Sequence, residues 1–180
     1  QPQAVVNFRQ RRGLLEPPLP DERVRVARAA YFGLCEYLDR QVGRVLDKLD
    51  ETGLAQNTLV IYASDHGEMA GEHGCWWKSN YYEGSAGVPL VARLPGVIPA
   101  GSTSDEICNL MDIGPTLVDL AGAAPLPRTD GHSLWRVLQG QKDDRRPGET
   151  FSEHGPTRGE APSRMIRRGG WKLYKYADDT

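Results

Sequence analysis

The sequence predicts an α/β fold, and three observations carry that reading. Apolar residues recur at three- and four-residue steps between Val24 and Leu49; a short β-branched run follows at residues 58–63 (TLVIYA); a second such run spans residues 88–94 (VPLVARL). A long helix, a short connection and a nearly all-apolar strand in succession is the pattern of helices packed on a sheet whose strands are covered on both faces.

Taken in order, residues 1–20 are rich in Pro, Arg and Gln and end in Glu16-Pro17-Pro18-Leu19-Pro20, which reads as an incoming connection. Asp21 is the expected N-cap of the long helix. Val24, Ala27, Tyr31, Leu34, Leu38, Val45 and Leu49 form its stripe, and Gly53 its C-terminal stop. The stripe is expected to pack on a sheet, since Arg40, Gly43 and Arg44 break up a coiled-coil seam. Pro89 suits the beginning of the second strand or an edge position, and Pro95-Gly96 ends that strand. Residues 107–110 read as a short extended piece. Asp112 with Pro115 just inside, then Leu117, Val118, Leu120 and Gly122, reads as a compact helix; residues 133–138, closed by Gly140, read as another. Residues 141–149 are expected to be an exposed loop. The end, with Gly169-Gly170 between Met165-Ile166 and Trp171-Lys172-Leu173-Tyr174, reads as a β-hairpin. The expected division is therefore a linker at 1–20, an α/β portion at 21–140, and a loop with the start of a small subdomain at 141–180.

With 180 residues, 39% of them hydrophobic and 26% charged, the chain has the size and composition of one globular domain or a large part of one. Its 22 basic and 24 acidic residues leave a net charge of −2, which gives no electrostatic reason to expect nucleic acid or an anionic membrane as partner. No apolar run approaches the ~18 residues that suggest a membrane span. No signal peptide is visible; the chain starts at Gln1 rather than Met, so export stays open and the compartment is cytoplasmic or periplasmic. Cys35, Cys75 and Cys108 are odd in number and scattered, which implies no disulfide framework.

The residues able to carry chemistry crowd into ASDHGEMAGEHGCWWK, residues 63–78. In open α/β sheets reactive groups gather where strands end, and Asp65 and His66 follow such an end directly. A carboxylate beside an imidazole can face one divalent cation: oxygen favours Ca²⁺ or Mg²⁺, and the imidazole tolerates Mn²⁺ or Zn²⁺. Two ligands make an incomplete site. Lys78, after Trp76 and Trp77, suits an anionic phosphate or sulfate oxygen. On spacing alone, an ordinary polar turn is the better explanation of the loop, since Asp and Gly after a strand are common turn formers. A zinc clip of His66, His73 and Cys75 matches no common structural spacing, and no His-Glu-x-x-His occurs. Residues 83–87 (EGSAG) have Glu where a nucleophile elbow needs Gly.

Several motifs in one order, however, resemble the sulfatase family. They are Tyr37-Leu38-Asp39-x-x-Val42-Gly43, Asn57-Thr58-Leu59-Val60-Ile61, Ser64-Asp65-His66-Gly67, Gly71-Glu72-His73-Gly74 before Lys78, Val88-Pro89-Leu90-Val91, Pro95-Gly96, Met111-Asp112-x-x-Pro115-Thr116 and Ala121-Gly122. The resemblance spans residues 25–140, continues more weakly to residue 174, and is to the Asp-His-Gly subgroup that is choline-sulfatase- and iduronate-sulfatase-like. It implies the alkaline phosphatase-like α/β fold, a mixed sheet flanked by helices, with Asp65 and His66 as metal ligands, Ca²⁺ first and Mg²⁺ or Mn²⁺ as alternatives. It also implies that Lys78 contacts the sulfate and stabilises charge on the bridging oxygen as the ester breaks. His73, Trp76 and Trp77 are expected to pack, with substrate contact by His73 the lesser reading; Glu153 and His154 stand at a strand end that could border the pocket.

Sulfatases of this family use a formylglycine made from Cys or Ser in Cys/Ser-x-Pro/Ala-x-Arg, and none of the three cysteines stands in such a motif. The expectation is an incomplete domain, the C-terminal part of a longer sulfatase whose nucleophile lies outside these residues, inactive alone and prone to self-association or homo-oligomerisation through uncovered apolar surface. The expected substrate is a small-molecule or carbohydrate sulfate ester. A phosphodiester or phosphonate monoester hydrolase of the same superfamily, and a non-catalytic binding or assembly module, are the alternatives.

Overall fold

The computed structural model describes residues 1, 3–14, 19–155 and 162–177. The chain forms two units, one built from residues 1–58 and 66–89, the other from residues 59–65 and 90–177. This division differs from one at residues 20 and 140, because pairing draws residues 59–65 into the same unit as residues 90–177.

In the first unit, α1 (Gln3–Arg11) occupies part of what reads as a linker. Its Ala4, Val5 and Phe8 share one helical face and are buried, which is why a segment rich in Arg and Gln is nonetheless ordered. Gly13, at φ 65°, closes it: Gly13 N–H donates to Gln10 O and Leu14 N–H to Arg9 O. The helix α2 (Asp21–Glu51) begins one residue earlier in capping terms than expected. Pro20 is its N-cap and has no side chain to offer, while Asp21 and Glu22 sit in the first turn, where their charge opposes the helix dipole. At the other end Gly53 N–H donates to Asp50 O and Leu54 N–H to Leu49 O, the paired closure that a left-handed glycine permits.

None of α2's residues is buried. Its predicted stripe is half-buried only at Val24, Ala27 and Leu49, while Tyr31 is 40%, Leu34 67% and Val45 62% exposed. The described residues of this unit contain no sheet broad enough to cover a 31-residue helix. The two-residue strands β2 (Met69–Ala70) and β3 (Trp76–Trp77) pair antiparallel, Met69 opposite Trp77, and the short helix α3 (Glu83–Ala86) follows.

In the second unit, β1 (Val60–Ala63) pairs antiparallel with β4 (Leu90–Arg93), Tyr62 opposite Val91. A strand covered on both faces is the expectation for β1. It has instead a single neighbour, no fully buried residue, and Tyr62 40% exposed. The α/β class holds, with every ladder among the described residues antiparallel. Residues 107–109 form no strand. A 3₁₀ turn at Leu110–Asp112 runs into α4 (Ile113–Leu120), followed by α5 (Trp135–Leu138). Asp112 is the N-cap position of α4, as expected, but makes no side-chain cap bond there. The reciprocal capping box belongs to the 3₁₀ turn, where the Asn109 side chain accepts from Met111 N–H while Asn109 N–H donates to Asp112 Oδ2. The strands β5 (Glu149–His154), β6 (Ser163–Arg168) and β7 (Trp171–Tyr176) form a meander. The predicted hairpin turns at Gly169-Gly170 as expected, and β5 extends it to three strands.

Candidate functional site

Asp65 lies two residues past β1, exposed, at the close of the second unit's first segment; His66 opens the first unit's second segment. His66 Nδ1 is 2.8 Å from the Gly67 carbonyl oxygen. A carbonyl can only accept, so Nδ1 carries a proton; a neutral ring in this tautomer has its lone pair on Nε2, the arrangement in which imidazole binds a metal. Gly67 then admits no side chain, because a Cβ would stand 2.1 Å from Gly84 O, while its N–H donates to Ser85 O at 2.8 Å. Ser85 itself is buried and sits in α3 rather than on a strand-to-helix elbow. A carboxylate oxygen and an imidazole nitrogen are chemically suited to a divalent cation. Among the described residues no group of three His, Cys, Asp or Glu side chains assembles, so the zinc clip of His66, His73 and Cys75 is not formed.

The β2–β3 hairpin carries the approach to Lys78. Its turn is tied by Gly71 N–H to Cys75 O and by Cys75 N–H to Glu72 O, both 2.9 Å. Glu72 accepts from Ala70 N–H at 2.7 Å and from Arg28 Nη2 at 3.1 Å, and Arg28 Nε donates to Ala70 O at 2.8 Å, so α2 pins the hairpin. Burial pushes the Glu72 carboxyl up, but the Ala70 N–H, its own backbone and the Arg28 charge together hold it below its ordinary value. Cys75 is fully buried; burial raises its thiol, opposed in part by Arg9, which makes it scaffold rather than a reactive thiolate.

The backbone here is strained. His73 (φ 55°), Trp77 (φ 67°) and Ser79 (φ 74°) are the non-glycine residues with positive φ among the described residues, and two of them flank Lys78. Each costs about 1–3 kcal/mol and persists only where the surroundings impose it, and such residues cluster at functional sites. The surroundings are identifiable. The His73 ring stacks on Tyr82, centroids 4.0 Å apart at 16°. Gln1 Nε2 donates to His73 O at 3.0 Å. The Arg9 guanidinium packs so closely on Gly74 that a Cβ there would lie 2.6 Å from Nη2. The Arg12 guanidinium lies 5.6 Å from the Trp77 ring centroid. Lys78 itself is exposed. The sequence shows Lys78 but gives no sign of the residues in and beside α1 that hold its loop, because a brace between segments so far apart in sequence leaves no local pattern.

The second unit holds a charged cluster that reads differently. Arg146, expected in an exposed loop, has a side chain only 4% exposed. Its five hydrogen bonds go to Glu106 Oε1, the carbonyls of Ile107, His132 and Ser133, and Asp112 Oδ2. Asp112 also accepts from His132 N–H at 2.7 Å. Beside it lies a cavity of about 780 Å³ bordered by Met111, Asp130, His132, Phe151 and Glu153. Glu153 is thus on a cavity wall, paired with Arg164 at 2.9 Å.

Two family models match: the sulfatase model over residues 8–123, and that of the N-sulphoglucosamine sulphohydrolase C-terminal region over residues 71–180. The choline-sulfatase of Rhizobium meliloti (strain 1021) is 42% identical over 88% of this chain and 31% of its own length. A protein solved in complex with its substrate D-glucosamine-2-N,6-O-disulfate superposes with a TM-score of 0.74 at 32% identity, covering 79% of this chain and 30% of that one. The phosphonate monoester hydrolase of Silicibacter pomeroyi gives 0.80 at 30% identity, covering 92% and 35%. The fold is the alkaline phosphatase-like one. The chain spans about a third of the length of the curated relatives it matches.

Proposed function

This chain belongs to the sulfatase family, and on that premise we propose that it supplies part of the active centre of a longer sulfuric ester hydrolase. In this reading Asp65 and His66 ligate a divalent cation, Ca²⁺ first with Mg²⁺ or Mn²⁺ as alternatives, and Lys78 binds the sulfate. The observation that carries it is the exposed Lys78 held between two left-handed residues, in the loop that follows Asp65 and His66. Such strain, held in place by neighbouring residues in a loop that faces solvent, is typical of functional sites, and presenting a cation to an anion would make use of it. The ammonium opposes charge on the ester's bridging oxygen as the S–O bond breaks. A bound cation would supply further positive charge at the sulfate. The nucleophile, a formylglycine by the family pattern, comes from outside these residues.

The substrate class we propose is a small-molecule or carbohydrate sulfate ester, because the relatives named above are a choline-sulfatase and a protein solved with a sulfated glucosamine. A phosphonate monoester is the second reading, favoured by the hydrolase that covers 92% of this chain. The full-length enzyme tested on choline sulfate, a sulfated glucosamine, an aryl sulfate and a phenylphosphonate monoester separates them. Lys78→Ala is expected to reduce sulfate-ester turnover on the order of 10²-fold or more, and Asp65→Ala to reduce bound metal as well as turnover. Unchanged metal content and turnover in both variants would sink the assignment. The uncovered apolar residues of α2 lead us to expect self-association of the isolated 180-residue chain, which sedimentation as a stable monomer would contradict.

A further inference from the structure

The loop bearing Lys78 depends on a helix that the composition alone would assign to a linker. Trp77 precedes Lys78, has a left-handed backbone, and is 50% exposed, so interior packing does not fix its ring. The Arg12 guanidinium carbon lies 5.6 Å from the centre of that ring, within cation–π range. Arg12 is itself anchored. It stands one turn after Phe8, its guanidinium 5.7 Å from the Phe8 ring and its N–H bonded to Phe8 O at 3.1 Å, and Phe8 is 4% exposed. A path of contacts therefore runs from a buried phenylalanine through a guanidinium to the indole adjacent to Lys78. Gln1 and Arg9 hold the other end of the same hairpin at His73 and Gly74.

We propose that Arg12 is a positioning residue: by seating its guanidinium on the Trp77 ring it holds the left-handed turn that aims the Lys78 ammonium at the sulfate oxygen. It acts through Trp77 and Lys78 and touches no substrate. The planar cation is suited to this, since a guanidinium stacks on an aromatic face more completely than a compact ammonium does. The inference rests on the proposed role of Lys78, and the test is arranged to separate the two.

In the full-length enzyme, Arg12→Ala is expected to lower kcat for a sulfate ester about 5- to 20-fold with KM nearly unchanged, the signature of an interaction expressed in the transition state. Arg12→Lys should recover part of the loss, and Trp77→Phe should keep most of the activity because a ring remains. The discriminating measurement is Arg12→Ala in a Lys78→Ala background. If Arg12 works through Lys78, the second substitution costs nothing further; an equal loss in both backgrounds overturns the proposal, as does wild-type turnover in Arg12→Ala. If Arg12→Ala does not accumulate as folded protein, Arg12→Met keeps the apolar stem over Phe8 and takes its place in both backgrounds. Wild-type turnover in Lys78→Ala refutes the role of Lys78 itself, whereas a large loss there with none in Arg12→Ala refutes this inference alone.

Discussion

Two clusters of charge in this molecule have opposite construction. The loop at residues 71–79 combines strained backbone with exposed side chains: three left-handed non-glycine residues, and a lysine facing solvent. The cluster around Arg146 is buried, free of such strain, and saturated, with five hydrogen bonds matching the five donors of a guanidinium. A group whose every donor is used inside the protein has nothing left for a ligand. Charge and proximity alone therefore do not single out a candidate site; backbone strain and solvent exposure are what distinguish Lys78. Arg146 ties residues 106–112, 132–133 and its own loop into one piece, whereas Lys78 faces solvent between two left-handed residues.

The largest effect should come from the saturated cluster, and in stability rather than turnover. Arg146→Ala removes the charge partner of Asp112, whose side chain is 6% exposed and keeps only the Asn109 and His132 N–H donors, and takes the same donor from Glu106 and three carbonyls. Removing one partner of a buried ion pair costs about 3–5 kcal/mol. The urea midpoint of the enzyme should fall accordingly, and Arg146→Met should fall nearly as far, since it fills the space but leaves the same acceptors bare. A midpoint within experimental error of wild type for both would erase the contrast between the two clusters.

How much of this was legible beforehand differs between the clusters for physical reasons. The long helix, the compact helices after residue 112, the two apolar runs and the terminal hairpin announce themselves because apolar periodicity and glycine position are local properties of the chain, and Asp65, His66 and Lys78 stand together in sequence. Arg146 does not announce itself: its loop, QKDDRRPGE, reads as solvent-exposed, and only the acceptors 13 to 40 residues away take it inside. The helix α1 is hidden in another way, because its Ala4, Val5 and Phe8 are too few to stand out among Arg and Gln. The apolar stripe of α2 was legible but its expected cover is missing from the described residues. Periodicity shows that a face is made to be covered, and cannot say by what.

An intermediate effect is expected at Ser79, where φ is 74°. Glycine tolerates that conformation, whereas serine bears a Cβ penalty of about 1–2 kcal/mol, partly offset by the greater backbone entropy glycine loses on folding. Ser79→Gly should therefore raise thermal stability slightly, by up to about 1 kcal/mol, while lowering turnover, because the turn after Lys78 can then relax into other conformations. Gains in both stability and turnover would mean that the strain is incidental, and the contrast drawn between the two clusters would lose its first half.

The smallest effect lies beside Arg146 and tests how local the saturated cluster is. Asp143 accepts from Arg145 Nε at 2.7 Å and from Nη2 at 2.6 Å, and these bonds pull its carboxyl down to about 2 against the cost of burial, helped by the Arg145 N–H and the nearby Arg136 charge. Because the folded state holds the proton less tightly than the unfolded chain, stability from this pair is complete above the ordinary value of 3.8 and is lost as pH falls toward about 2. The Arg145 side chain is 71% exposed, so solvent screens the pair and the contribution is small. The difference in urea midpoint between wild type and Asp143→Asn should be constant from pH 7 to about pH 5 and shrink below about pH 4. If it stays constant down to the acid limit of folding, the carboxylate is not what the loop depends on, and Arg146 alone holds that end of the cluster.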